Sequence, residues 1–384
     1  MHALLAVIES NLFLAMVCVA IGIWLFASRS LQARRAAVGA ALPAPGGERV
    51  LILGSGLLAR EIMKEMGAPG SRWRMVGVIP EVRSIGSEPP DPAIGSLEDL
   101  DLIIKRVRPD RIVVALDERR GRLPVGPLLE SRLRGVAVEQ GLEFYERLTK
   151  RLAIDALTPS ALIFSGGFQR RRFAAAAGRG MSLFLSVIGL AFTAPLWPLI
   201  ALSVRLDSRG PAIFKQERVG RGGRKFGLLK FRTMHPEGAN GSSWARDNSG
   251  RITRVGRFLR WSHLDELPQL INVLRGDMNL VGPRPHPVSN FELFSAHIPF
   301  YALRAVIRPG VTGWAQVRYR YANTLEEETE KMRYDLYYIK HRSLWLDLSI
   351  LARTARVLLL GLRPDWKTAD TRVTASQTGR VRAA

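Results

Sequence analysis

Asp265 and Glu266 are neighbours in the stretch Arg260-Trp261-Ser262-His263-Leu264-Asp265-Glu266-Leu267-Pro268-Gln269, where other acids are scarce and cations many. Two adjacent carboxylates can bind Mg²⁺, and an ionised one can act as a nucleophile toward phosphorus. The spacing also has a purely structural reading, because Ser262-x-x-Asp265 matches a helix capping box. Two basic clusters could neutralise a pyrophosphate: Lys230-Phe231-Arg232 and Pro283-Arg284-Pro285. The guanidinium fork suits phosphate oxygens, and Mg²⁺ suits a departing nucleoside phosphate. Taken singly, each cluster reads as solvated surface charge.

A second constellation lies far upstream. Residues 50–53 (Val-Leu-Ile-Leu) read as a buried strand, followed by Gly54-Ser55-Gly56-Leu57-Leu58-Ala59 and a helical stretch over 60–66. Gly54, Gly56 and Ala59 form a dinucleotide-type turn, in which glycines let backbone N–H groups approach a phosphate. Glu81, at the end of the next strand, sits where a ribose-binding acid would be. The alternative is a nucleotide-binding-like fold that has lost its ligand or serves as a scaffold. Further strands are expected at 75–79, 111–116 and 136–138, with a helix over 97–106; this alternation predicts a parallel α/β sheet.

The rest of the chain is organised by apolar runs and charge. Residues 3–26 are almost wholly apolar and are followed by Arg29, Arg34 and Arg35, with no Lys or Arg before them. That order favours an uncleaved anchor with its N-terminus outside over a cleaved signal peptide. Residues 181–204 carry no charge, yet Pro195 and Pro198 interrupt them and both flanks are basic. Proline breaks the helix, and positive flanks stay cytoplasmic, so a re-entrant helix that turns near Pro195 satisfies both. A kinked span and a buried soluble helix are the alternatives. Short strands are expected at 213–218 and 225–231. Basic helices over 326–360 suit either a membrane interface or an ordinary core. The sequence is thus divided into an anchor (1–28), a linker (29–48), a Rossmann-like domain (49–150), a linker (151–175), a catalytic domain (176–362) with the re-entrant helix 181–204, and a disordered tail (363–384).

Composition fits this plan. The 384 residues hold 47% hydrophobic residues and a formal net charge of +22, with mean hydropathy near zero. Such charge calls for an anionic partner: nucleic acid, a membrane surface or phosphorylated substrates. No nucleic-acid-binding motif is present, so nucleic acid is not among the expected partners. One cysteine, Cys18, excludes an intramolecular disulfide framework and fits a reducing cytosol.

The run from Asp265 to Met278, then Val281-Gly282-Pro283-Arg284-Pro285, resembles the bacterial sugar transferases, the monotopic phosphoglycosyl transferases. Gln216-Glu217-Arg218-Val219-Gly220, Lys230-Phe231-Arg232-Thr233-Met234 and residues 309–317 resemble further blocks in the family order. The resemblance covers roughly residues 176–362. It implies a membrane-associated α+β catalytic domain with a re-entrant helix, preceded by a transmembrane helix and a Rossmann-like α/β domain of the exopolysaccharide-type members. It also implies transfer of a sugar-1-phosphate, a hexose-1-phosphate by this resemblance, from a UDP-sugar to polyprenyl (undecaprenyl) phosphate with release of UMP. Asp265 is then the nucleophile that forms a phosphosugar-aspartate, and Glu266 helps to hold Mg²⁺. Lys230, Arg232, Arg260 and Arg284 lie near substrate phosphates, and Gln316 falls in a family block. The implied location is the bacterial inner membrane, with the catalytic domain on the cytoplasmic face; a homo-oligomer is left open. Two departures stand out. Ala194 precedes the breaking proline where many members have Ser, and the chain has one N-terminal apolar run where long members have several.

Two other classes compete. A scaffold without activity has no use for the Asp265-Glu266 pair. An oxidoreductase acting through 54–59 needs a Tyr-x-x-x-Lys-type pair, and residues 60–150 contain a single tyrosine, Tyr145.

Overall fold

The computed structural model describes residues 47–69, 71–81, 93–117, 123–157, 159–164, 167–168, 172–235, 250–319 and 322–360. The expected anchor, nearly all of the first linker and the tail lie outside the described residues. The chain divides into two compact units between Phe168 and Gln169.

The first unit is a four-stranded parallel sheet of order β2-β1-β3-β4. Its strands are β1 (Glu48–Leu53), β2 (Trp73–Ile79), β3 (Arg111–Val114) and β4 (Ala137–Gln140). Helices α1 (Leu57–Met66), α2 (Leu100–Val107), α3 (Val125–Leu133) and α4 (Gly141–Thr149) connect and cover them. The continuous apolar run of β1 follows from burial on both faces. Val50 and Ile52 pack with Leu58, Ile62 and Phe144 of α1 and α4. Leu51 and Leu53 pack with Leu100, Ile103 and Leu128 of α2 and α3. Residues 152–154, in the stretch expected to be a linker, are buried, and Ala153 joins the first of these clusters. A short helix α5 (Pro159–Phe164) follows.

The second unit starts with α6 (Arg172–Thr193), a 3-10 turn (Ala194–Leu196) and α7 (Trp197–Asp207). The helix therefore begins nine residues before the apolar run, and the break falls at Pro195 as the sequence predicts. Arg172–Asp207 is, among the described residues, the one stretch long and apolar enough to cross a membrane. The break lacks the serine hydroxyl of many family members, but Thr193 stands in. Its Oγ1 donates to Gly189 O at 2.7 Å and accepts from Trp197 Nε1 at 3.4 Å. Hydroxyl bonding to the fourth preceding carbonyl bends helices.

An antiparallel hairpin follows, β5 (Ile213–Val219) and β6 (Lys225–Phe231). Then come α8 (Arg254–Ser262), a 3-10 turn (Leu264–Glu266), α9 (Gln269–Arg275), β7 (Asn279–Val281), α10 (Val288–His297), a 3-10 segment (Tyr301–Val306), β8 (Gly310–Thr312), α11 (Trp314–Arg318), α12 (Leu325–His341) and α13 (Leu344–Leu360). Strands β7 and β8 pair in parallel.

One face of α6 is made of small residues four apart, Gly178, Ser182 and Ser186, all buried. A Cβ on Gly178 would sit 2.9 Å from Asp347 Oδ2 of α13, so only glycine permits that approach. Ser182 Oγ accepts the Leu280 N–H at 3.2 Å, whereas Ser186 Oγ is fully buried without a partner among the described residues. Ser182→Ala is therefore expected to cost about 1–2 kcal/mol by orphaning a backbone donor, and Ser186→Ala to be neutral or stabilising. Denaturation midpoints of the detergent-solubilised protein measure both.

Candidate active site

Three separate segments meet at Glu266. Its Oε1 accepts Lys230 Nζ at 3.1 Å, from the end of β6, and Arg284 Nη2 at 2.6 Å, from the loop after β7. Burial alone would raise the Glu266 pKa, but Arg284 and Lys230 outweigh it and hold the carboxyl well below the usual range. Burial also lowers the Lys230 pKa, against the pull of Glu266.

Asp265 is buried, with 7% of its surface exposed, and makes no hydrogen bond or close ion pair among the described residues. Burial raises its pKa; the Lys230 charge opposes this, Glu266 reinforces it, and Arg260 and Arg284 oppose it. The capping reading fails here. Ser262 ends α8 and donates backward to Phe258 O and Leu259 O, so it starts no helix. The following turn is entered through His263 in the left-handed conformation (φ 58°), without a side-chain cap. Nor does a side chain cap α9, whose N-terminal neighbour is Pro268.

The other predicted residues separate. Arg260 donates from Nε to Thr233 Oγ1 at 2.9 Å, and its charge acts on Asp265. Arg232 is buried and donates to Ser208 O at 2.6 Å and Val204 O at 3.4 Å, closing the end of α7. Strand β6 ends at Phe231, so the two-residue periodicity that would align Arg232 with Lys230 no longer applies. Gln316 donates to Val311 O of β8 at 3.0 Å, and its buried Oε1 has no partner among the described residues.

Gly54 and Gly56 belong to the α/β unit. Gly54 takes φ 116°, and a Cβ there would lie 2.3 Å from Ala115 O. A Cβ on Gly56 would lie 2.0 Å from Asp117 Oδ2. The exposed Asp117 carboxylate therefore lies against Gly56, at the start of α1. Glu81 is also engaged, accepting the Asp117 N–H.

Sequence reasoning missed three contributors. Arg218, on β5, donates to Pro285 O at 2.9 Å; burial and the neighbouring Arg284 lower its pKa to about 9, while Glu266 opposes this. Thr233 orients Arg260. Asn272, fully buried on α9, completes the open edge of β6: it accepts Leu229 N–H at 3.0 Å and donates to Gly227 O at 2.8 Å. That clamp sets Lys230 opposite Glu266. Asn272 sits within a quoted motif, but its amide carries no signal apart from its partner strand.

Four cations (Arg218, Lys230, Arg260, Arg284) against two carboxylates leave two positive charges to be met, the charge of a bridging diphosphate. For a divalent metal, the donors available are hard oxygens: the unpaired Asp265 carboxylate and the Glu266 Oε2. Mg²⁺ takes one or two carboxylates together with substrate phosphates and water, so the set fits it. Among the described residues no group of three or more His, Cys, Asp or Glu could hold a metal by itself. Because the ionised Asp265 is disfavoured in the fold, Asp265→Asn is expected to leave stability unchanged or raised. Asn272→Ala, which strands two part-buried backbone groups, is expected to cost about 1–3 kcal/mol. Urea midpoints separate the two.

A model of the bacterial sugar transferase family matches residues 173–361. The chain is 48% identical over 184 residues, 47% of itself and 69% of the relative, to a UDP-glucose:undecaprenyl-phosphate glucose-1-phosphate transferase of Caulobacter vibrioides. It is 42% identical over 217 residues to a UDP-N-acetylgalactosamine-undecaprenyl-phosphate N-acetylgalactosaminephosphotransferase of Aeromonas hydrophila, covering 56% of this chain and 51% of that one. An undecaprenyl-phosphate glucose phosphotransferase of Komagataeibacter xylinus matches over 322 residues at 32% identity, 80% of this chain and 58% of the relative. The chain spans about half the length of the Aeromonas relative. With the motif blocks in one unit and the Asp265-Glu266 pair at their centre, the chain belongs to the bacterial sugar transferase family.

Proposed function

We propose that this protein transfers a hexose-1-phosphate from a UDP-sugar to undecaprenyl phosphate through an Asp265 adduct, as the initiating step of an exopolysaccharide or other surface glycan. The observation that carries this reading is the division of labour in the dyad. Glu266 is committed to Lys230 and Arg284, while Asp265 is buried and unpaired among the described residues.

Asp265 attacks the β-phosphorus of the UDP-sugar. The bond from that phosphorus to the bridging oxygen breaks, and UMP leaves with the electron pair. An oxygen of polyprenyl phosphate then attacks the same phosphorus and frees the aspartate. Lys230, Arg284 and Arg260 offset charge developing on the phosphoryl oxygens, and Glu266 keeps the first two in place. Mg²⁺, held by Glu266 and the donor's phosphates, would supply charge neutralisation on the departing UMP.

The membrane reading rests on α6 and α7. Phe184, Phe192, Leu199, Leu202 and Leu206 are exposed along them, an apolar surface that soluble monomers rarely show. Leu270 packs at Gly189 and Phe231 packs edge-on against Trp197, so the same unit holds both arms of the break. Eight residues separate those contacts, about 12 Å of helix, against the ~30 Å of a bilayer core. Entry and exit on one face suit that spacing better than a crossing. Exposed Phe258 and Trp261, tilted against each other at 6.0 Å beside the arginines of α8, suit a phospholipid interface. The location that follows is the inner membrane, with the second unit on the cytoplasmic face.

Purified protein given UDP-sugars and Mg²⁺ without lipid is expected to release one equivalent of UMP in a burst and gain the mass of a sugar phosphate. Asp265→Asn is expected to abolish both. UMP release that strictly needs the lipid phosphate would instead mean direct displacement. The acid limb of kcat/KM is expected above the ordinary aspartate range, because burial raises the Asp265 pKa and only the ionised form attacks. Lys230→Met removes a charge that lowers this pKa, so the limb moves to higher pH; pH-rate profiles of the two proteins check the sign.

A further inference from the structure

Beneath the 283–285 loop lies a buried charge cluster that the transfer steps do not use. Its centre is Arg304, with 5% of its surface exposed. Arg304 Nη1 donates to Tyr301 Oη and, at 3.5 Å, to Glu328 Oε1. Its Nη2 lies 2.8 Å from Asp335 Oδ2 and donates to the Arg284 carbonyl at 3.1 Å. Tyr301 Oη donates to Glu328 Oε1 at 3.1 Å, and Lys331 Nζ donates to Glu328 Oε2 at 3.1 Å. His286, two residues past Arg284, faces Tyr301 Oη at 3.4 Å and Lys331 Nζ at 3.3 Å.

Burying ions costs several kcal/mol each, and even a well-paired cluster is often no more stabilising than apolar packing. Stability alone therefore does not account for this one. What it has that apolar side chains lack is a donor aimed at one backbone carbonyl of the site loop. That carbonyl belongs to Arg284, whose side chain grips Glu266 at 2.6 Å.

We propose that Arg304 is a positioning residue: fixed between Glu328 and Asp335, it holds the Arg284 carbonyl and so aims the Arg284 guanidinium at Glu266 and the donor's diphosphate. This rests on the transferase reading. Lysine keeps the charge but cannot reach two carboxylates, a hydroxyl and a carbonyl from one rigid plane. Arg304→Lys should lower kcat/KM for the UDP-sugar by about tenfold or more, chiefly through KM, since small misplacements of a substrate clamp are costly. Tyr301→Phe, which removes one hydroxyl and keeps every charge, should move KM in the same direction at an unchanged melting temperature, and carries the test should Arg304→Lys fail to fold.

The decisive measurement is the double variant with Arg284→Ala. If Arg304 acts through Arg284, the Arg304→Lys or Tyr301→Phe change adds nothing in that background. Full multiplication of the two effects, or wild-type kinetics in both single variants, overturns the positioning role while leaving the transferase reading intact. A wild type that releases no UMP from any UDP-sugar, with or without polyprenyl phosphate, overturns the transferase reading itself.

Discussion

Glu266 is a carboxylate taken out of water, and it can stay ionised there only if cations follow it in. That requirement organises the second unit. Lys230 arrives from β6 and Arg284 from the loop after β7, and both reach the same oxygen. Removing either partner from such a pair leaves a buried charge uncompensated, which costs several kcal/mol. Three segments far apart in the chain are thereby held to one point, and Asp265, one residue earlier in the same turn, is brought among their charges without being tied to any of them.

The clamp has to be built before it can hold. Asn272 joins α9 to the free edge of β6, so the turn carrying the dyad and the strand carrying Lys230 share a fixed separation. Asp207 Oδ2 accepts Val255 N–H at 2.8 Å, and Arg232 closes the end of α7, which together secure the start of α8 and the exit of the apolar helix. Gly178 and Ser182 fix the entry of that helix against α13 and β7. The apolar segment is therefore bonded at both ends to the unit that holds the dyad. Its orientation in a bilayer would set the depth of Asp265, and with it access to a phosphate carried on a lipid.

The parts of this arrangement that one segment decides were readable in the sequence. The strand 225–231, the break at Pro195 and the apolar run of β1 each follow from local pattern. The Asp265-Glu266 pair and the cations Lys230, Arg260 and Arg284 stood out through the family blocks that hold them, since residue type alone left a helix cap and surface charge open. Lys230 and Arg232 flank Phe231 and look equivalent in sequence, but the strand ends at Phe231 and Arg232 bonds to carbonyls at the end of α7. Ser262 misled because a capping box is a local motif, while α8 continues through that serine. Arg218, Thr233 and Asn272 stayed hidden for a common reason: each acts by hydrogen-bonding to a segment that no spacing rule brings near it.

The two loops that sequence marks as phosphate-binding end differently, and charge explains why. Around Asp265, the partners supplied by other segments are cations, and the site is left with two positive charges in excess. Around Gly56, the partner supplied by the residues after β3 is Asp117, an exposed carboxylate. Both loops turn through a positive φ: Gly54 at 116° after β1, and His263 at 58° before the dyad. What a motif cannot state is the sign of the charge the rest of the fold will deliver to it. An anion site is decided by that sign, because donors aimed at empty space attract a phosphate only when no fixed anion has taken its place. In this fold the cations gather at the dyad of the second unit, while Gly54 of the first lets β1 pack closely against the end of β3.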